Sequence, residues 1–103
     1  MAFFIMPHYV YILYSEKLDR YYIGQTEDVE LRLSFHNNPV EPRKFTAKGI
    51  PWVFKISMTC LSKAHAMRLE AFLKRMKSRQ FIEKLILDEK LRDEILTKTA
   101  PDC

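Results

Sequence analysis

Two runs of aromatic and β-branched residues, "HYVYILYS" at 8–15 and "YYIGQ" at 21–25, lie on either side of a short polar stretch. Such residues favour strands, and a link this short favours an antiparallel hairpin. That hairpin constrains everything after it, because a two-stranded sheet needs further partners to be stable. "WVFKISMT" at 52–59 supplies a third strand. Between the hairpin and this strand, Asp28 is a good N-cap for a helix from about Val29 to Asn37, which Asn38-Pro39 should end. Residues 39–51 hold three prolines, one glycine and three basic residues, so a loop is expected there. Ser62 can cap a long helix reaching about Met76, and 78–98 should add one or two more helices. The expected fold is α+β: a small three-stranded antiparallel sheet flanked by helices. The 103 residues fit one domain, with a core at about 8–90 and a loose tail at 97–103.

Charge is distributed unevenly. From Arg43 to Arg79 there are ten Lys or Arg and one acid, Glu70. Residues 1–42 hold three bases and six acids, and residues 80–103 hold four bases and six acids. A basic middle between mildly acidic ends suits an anionic partner such as nucleic acid, and a solvated basic face is the plainer alternative. The net charge of +4 alone defines no partner. Cys60 and Cys103 have no zinc-ligand or CxxC spacing, which points to a reduced, cytoplasmic protein. "MAFFIMP" lacks the charged start of a signal peptide, and no apolar run approaches the length of a membrane span.

The short helix carries Arg32 and His36 on its apolar side. At 100° per residue from Asp28, they fall at about 40° and 80°. Leu31 and Phe35 flank them on one side, at about 300° and 340°, and Val29 and Leu33 on the other, at about 100° and 140°. Both polar residues are therefore expected to face the sheet. A buried guanidinium needs a partner, so Arg32 must meet a carboxylate, an anion or a wet cleft. Taken alone, a structural salt bridge for Arg32 and a hydrogen-bonded core histidine at His36 remain the simpler readings. Glu30, Ser34 and Asn37 are expected to point outward.

Strand alternation puts Tyr9, Tyr11 and Leu13 on one face, and Tyr22 with Gly24 on a face of the second strand. If Tyr11 and Tyr22 share a face, two phenols meet the inward side of the helix. Cross-strand packing with exposed hydroxyls is the alternative. Gly24 would mark a bulge or strand end, or allow close approach of a substrate. On the long helix, Leu69, Phe72, Leu73 and Met76 form an apolar stripe with Glu70 at its edge, among Lys63, Arg68, Lys74, Arg75 and Lys77. Glu70 can form an i,i+4 pair with Lys74, or hold a divalent metal in a phosphate-binding groove. His65 lies inside the stripe and reads as core.

These residues together resemble the GIY-YIG nuclease superfamily, in particular the small single-domain group similar to the N-terminal catalytic domain of bacterial excinuclease C. The first motif stands degenerately as "YVY" at 9–11, with Tyr9 in place of glycine, and the second stands intact as "YIG" at 22–24. Arg32, His36 and Glu70 follow in the family's pattern, and the resemblance runs from about His8 to Leu87. It implies metal-dependent endonuclease activity on DNA, with branched, nicked or damaged forms as substrates in repair or recombination, and RNA as an open alternative. Glu70 would bind Mg²⁺ or Mn²⁺, and no small-molecule cofactor or membrane is implied. Arg32 would neutralise phosphoryl charge, Tyr11 or Tyr22 would orient or deprotonate the attacking water, and His36 would assist. Cations near the phenols would favour phenolate. Gly24, Arg43, Lys44, Lys48, Lys74 and Lys77 would contact substrate. Gln25 stands where some relatives have a lysine, and 64–90 contains no asparagine where some enzymes place one after the metal glutamate. A nucleic-acid-binding module with weak or no cleavage is the rival reading. An interaction domain whose basic face binds an acidic protein is a third.

Overall fold

The computed structural model describes residues 7–38 and 45–101. Strands β1 (His8–Ser15), β2 (Arg20–Thr26) and β3 (Trp52–Cys60) form one antiparallel sheet in the order β2-β1-β3. Helix α1 (Val29–Asn37) follows the hairpin, a 3-10 turn (Phe45–Gly49) precedes β3, and α2 (Lys63–Met76), α3 (Arg79–Leu87) and α4 (Glu89–Thr99) follow it. The expected α+β architecture is the one observed. The anticipated loop at 39–51 is in part this 3-10 turn, while 39–44 lie outside the described residues.

β1 is central and buried on both faces, which explains its continuous apolar run. Val10 and Ile12 face one way and join Met58, Leu69, Leu73, Ile82 and Leu85 in the larger core against α2, α3 and α4. Tyr11 and Leu13 face the other way and meet Trp52, with Tyr22, Val29 and Leu33 packed around them. A register shift at Ile12/Leu13 lets β3 serve both cores. Ile12 pairs with Ile56 and Leu13 with Phe54, so Lys55 is the extra residue of a bulge. The bulge reverses side-chain parity along β3. Met58 therefore enters the larger core while Trp52, also an even-numbered position, enters the smaller one.

Each of the four helices is started by an oxygen-bearing side chain. Asp28, Ser62, Ser78 and Asp88 accept hydrogen bonds from the backbone N–H of Leu31, His65, Phe81 and Leu91. Asp88 also ends α3, which is why 78–98 yields two helices. His65 is a core residue as expected: its ring contacts Leu61 N–H, Leu96 C=O and Thr99 Oγ1. The loose-tail expectation is corrected in part, because α4 runs through Thr99, whose side chain is buried beside His65. Asp102 and Cys103 lie outside the described residues.

Candidate active site

The smaller core opens onto a cluster of aromatic and ionisable groups. Tyr11 pairs across the ladder with Gly24, and the phenol ring of Tyr11 lies over that glycine. A Cβ at Gly24 would stand 2.5 Å from Tyr11 Oη and 2.7 Å from Cζ. Gly24 is thus not a strand end. It is buried within the ladder and makes room for the phenol.

Tyr11 Oη sits 2.9 Å from His36 Nε2 in a buried hydrogen bond. Tyr22 meets the His36 ring edge-on with centroids 4.5 Å apart, and lies 6.2 Å from the Tyr11 ring. Trp52 closes the far side, 6.0 Å from Tyr22 and 6.5 Å from His36. The two tyrosines and the histidine therefore meet as the alternation and helix angles implied.

Arg32 and two of its flanking residues, Leu31 and Phe35, are more exposed than the helix angles imply, and of the three surroundings expected for the guanidinium it meets the wet cleft. The inward face of α1 centres on Val29, Leu33 and His36, which leaves Leu31 and Phe35 about half exposed and Arg32 exposed at the margin. Its guanidinium needs no buried carboxylate and makes no ion pair among the described residues. It is close enough to act on both Tyr11 and His36. Arg32 also lines an open groove of about 500 Å³ with His8, Gln25, Thr26, Phe35 and Lys63.

Electrostatics set the proton inventory. Burial holds the Tyr11 phenol well above its ordinary pKa, with Tyr22 and Glu70 adding to the rise and Arg32 opposing it. Arg32 does favour phenolate, as expected of a nearby cation, but burial outweighs it. Burial, and then Arg32, push the His36 pKa down, so its imidazole is neutral at neutral pH.

Glu70 stands on α2, on the opposite face of β2 from the phenols, and bears on the site through its charge at Tyr11 rather than through a contact among the described residues. Its carboxylate accepts from Gln25 Nε2 at 3.1 Å and pairs with Lys74 Nζ at 2.8 Å. Its side chain is 17% exposed, so it is more enclosed than a surface i,i+4 pair would be. No cluster of three or more His, Cys, Asp or Glu able to hold a metal occurs among the described residues. A lone carboxylate suits Mg²⁺, which commonly takes one or two carboxylates and completes its shell with water and substrate phosphate. One local feature agrees with such an ion, since Gln25 Oε1 is buried without a hydrogen-bond partner, while the Lys74 ammonium already satisfies the carboxylate and would have to give way.

The remaining basic residues scatter. Lys74 and Lys77 line a second groove beside Arg20, Tyr21 and Arg79. Lys48 is exposed on the 3-10 turn. Arg43 and Lys44 lie outside the described residues.

Three residues that sequence reasoning did not assign to the site help to build it. Trp52 supplies a wall, and Gln25 grips Glu70. Asn37, expected to point outward, clamps β3: its Nδ2 donates to Trp52 C=O at 3.0 Å and its Oδ1 accepts from Trp52 N–H at 2.6 Å. As the last helical residue it reaches past the end of α1, which a helical wheel does not represent.

The site thus joins two strand tyrosines and a helix-borne histidine on a three-stranded antiparallel sheet, with a carboxylate from a second helix beside it. The GIY-YIG catalytic domain family matches residues 7–84, and the chain belongs to that family. Over 76 residues it is 38% identical to a UPF0213 protein of Streptococcus pneumoniae serotype 4, covering 73% of this chain and 76% of that protein. Its fold is similar to the solution NMR structure of a UPF0213 protein from Bacillus halodurans, with TM-score 0.51 and 31% identity over 90% of this chain and 96% of the other.

Proposed function

We propose that the protein is a metal-dependent endonuclease that hydrolyses phosphodiester bonds in DNA, with branched, nicked or damaged forms as substrates and a role in repair or recombination. The observation that carries this reading is the buried Tyr11 Oη–His36 Nε2 hydrogen bond, within reach of the charges of Arg32 and Glu70. A phenol held above its ordinary pKa cannot ionise alone at neutral pH, whereas a neutral imidazole in contact with it can take its proton. Tyr11 Oη would accept a proton from the attacking water as His36 Nε2 receives the phenolic proton. No isolated phenolate then forms in the buried site. Tyr22 would hold the imidazole in place and offer a second hydroxyl to water or phosphate.

Arg32, exposed and without an ion-pair partner among the described residues, would meet the phosphate and neutralise charge growing on its oxygens. Glu70 would hold Mg²⁺ or Mn²⁺, which when bound supplies Lewis-acid stabilisation at the phosphoryl group. Lys74 and Lys77 would guide the strand along their groove, with Lys48, Arg43 and Lys44 as further phosphate contacts. The cytoplasm is the compartment this reading assigns.

The second reading is a nucleic-acid-binding module, and the Glu70–Lys74 pair favours it by satisfying the carboxylate without a metal. Glu70→Gln separates the two. For an endonuclease, nicking of a panel of branched, nicked and duplex DNAs in Mg²⁺ or Mn²⁺ falls by at least ~10²-fold. DNA binding holds or tightens, because a negative charge beside Lys74 is removed. Stability falls by about 1 kcal/mol or less through loss of the pair with Lys74, since the amide keeps an acceptor for Gln25 Nε2. Equal nicking by both proteins removes Glu70 from the mechanism, and no metal-dependent nicking by the wild type on any substrate selects the binding module.

A further inference from the structure

Gln25 joins the Glu70 side of the sheet to the groove that contains Arg32. It follows Tyr21 and Ile23 on the face of β2 that packs toward α2, where an apolar side chain would suit the pattern. Instead its Nε2 donates to Glu70 Oε2 at 3.1 Å. A carboxylate only accepts, so this contact fixes the amide with its nitrogen toward Glu70. The amide oxygen is then left over. Gln25 Oε1 is buried and has no donor among the described residues. A buried polar atom without a partner costs about 1–3 kcal/mol, and few survive in folded proteins without a reason. Gln25 also lines the Arg32 groove, so the residue that grips the carboxylate also borders the place proposed for phosphate. The other partner of Glu70, Lys74, is 57% exposed and can leave the carboxylate freely.

We propose that Gln25 is a positioning residue for a divalent cation at Glu70. Its Nε2 orients the carboxylate, and its Oε1 accepts a hydrogen bond from a water on the ion. Lys74 is the partner that gives way when the ion binds. Outer-shell groups of this kind change metal affinity by about 10–100-fold when removed. The inference rests on the metal-dependent reading above.

The test is Mn²⁺ binding to the full chain without nucleic acid, read from the electron paramagnetic resonance of free Mn²⁺, beside a melt in metal-free buffer. Gln25→Met keeps the length and removes both polar atoms. It is expected to bind Mn²⁺ about 10–100-fold more weakly and to melt no lower than wild type, since the orphaned oxygen is gone. Gln25→Glu keeps an oxygen acceptor and adds a second carboxylate. It is expected to melt lower without metal, to recover with Mn²⁺, and to bind Mn²⁺ at least as tightly as wild type. Should Gln25→Met not fold, Gln25→Glu decides by the same two measurements. Mn²⁺ affinity unchanged in Gln25→Met, while Glu70→Gln loses it, overturns the role of Gln25 and leaves the metal site standing. Failure of the wild type to bind Mn²⁺ overturns both.

Discussion

Among single residues, Gly24 has the clearest consequence. Its missing Cβ is the space that Tyr11 Oη occupies on the way to His36. Gly24→Ala should displace the phenol and break the Tyr11–His36 bond, at a cost of about 1–3 kcal/mol for overpacking. Nicking should fall to the level of Tyr11→Phe, and full activity in Gly24→Ala would show that the ring position does not matter. His36 makes a prediction in pH. Its folded pKa lies below the ordinary value, so the unfolded chain takes up the proton first as pH falls. Its contribution to stability is full above about pH 6.5 and drains away as the pH drops through that value toward the lowered one. Thermal melts should therefore show wild type losing stability below about pH 6.5 more steeply than His36→Gln. Parallel curves would mean that His36 is not held neutral. Tyr11 has the opposite sign: its raised pKa gives a contribution present at neutral pH and lost above about pH 10, as the unfolded phenol ionises.

At the scale of elements, the site depends on how α1 is fastened to the sheet. Asp28 caps its start, and Asn37 ties its end to both backbone groups of Trp52. Trp52 is itself held through Nε1, which donates to Thr46 C=O at 2.6 Å. His36 is the residue before this clamp and inherits its position. Asn37→Ala should cost about 1–3 kcal/mol, because two backbone groups lose their partners. Nicking should fall with it although Asn37 touches neither Tyr11 nor phosphate in the proposed mechanism. A melting temperature equal to wild type would show that the clamp does not hold α1. The other helices form a separate support. Arg92 donates to Leu85 and Ile86 C=O at the end of α3, fixing the corner with α4 behind the α2 helix that carries Glu70.

Across the whole molecule, the sheet separates two kinds of work. One face carries the large apolar core and the other carries the Tyr11 and Tyr22 phenols and the His36 imidazole, while the groove of Arg32, lined also by Gln25 and Lys63, opens at their margin. The excess of bases between Arg43 and Arg79 in the sequence would attract a polyanion at long range in the proposed function. DNA affinity should fall with salt, by a logarithmic slope of about −0.9 for each phosphate neutralised on a duplex. Lys77→Ala, at an exposed residue with left-handed backbone at the end of α2, should reduce that slope by about one if Lys77 meets a phosphate. An affinity unchanged from low to moderate salt would assign the basic face to another partner. Among the described residues, no helix is long and apolar enough to cross a membrane.

The elements and the family were legible in the sequence because their signals are local. Strand alternation, the side-chain caps Asp28 and Ser62, and the spacing of Tyr11, Tyr22, Arg32 and His36 are short-range patterns, while Glu70, on a later helix, joined the set through the family resemblance. Helical angles also identified His36 as inward. They misjudged Arg32 and Asn37, because an angle cannot tell how widely a helix face is covered or whether a terminal side chain reaches past the end. Only tertiary structure could assign Gly24 to Tyr11, since the reason for that glycine is an aromatic ring from the neighbouring strand. The bulge at Lys55, which sends Trp52 and Met58 to opposite cores, leaves no periodic trace in one strand. The grip of Gln25 on Glu70 joins residues 45 positions apart. Contacts of that separation depend on how sheet and helix pack, and packing is decided by the whole chain.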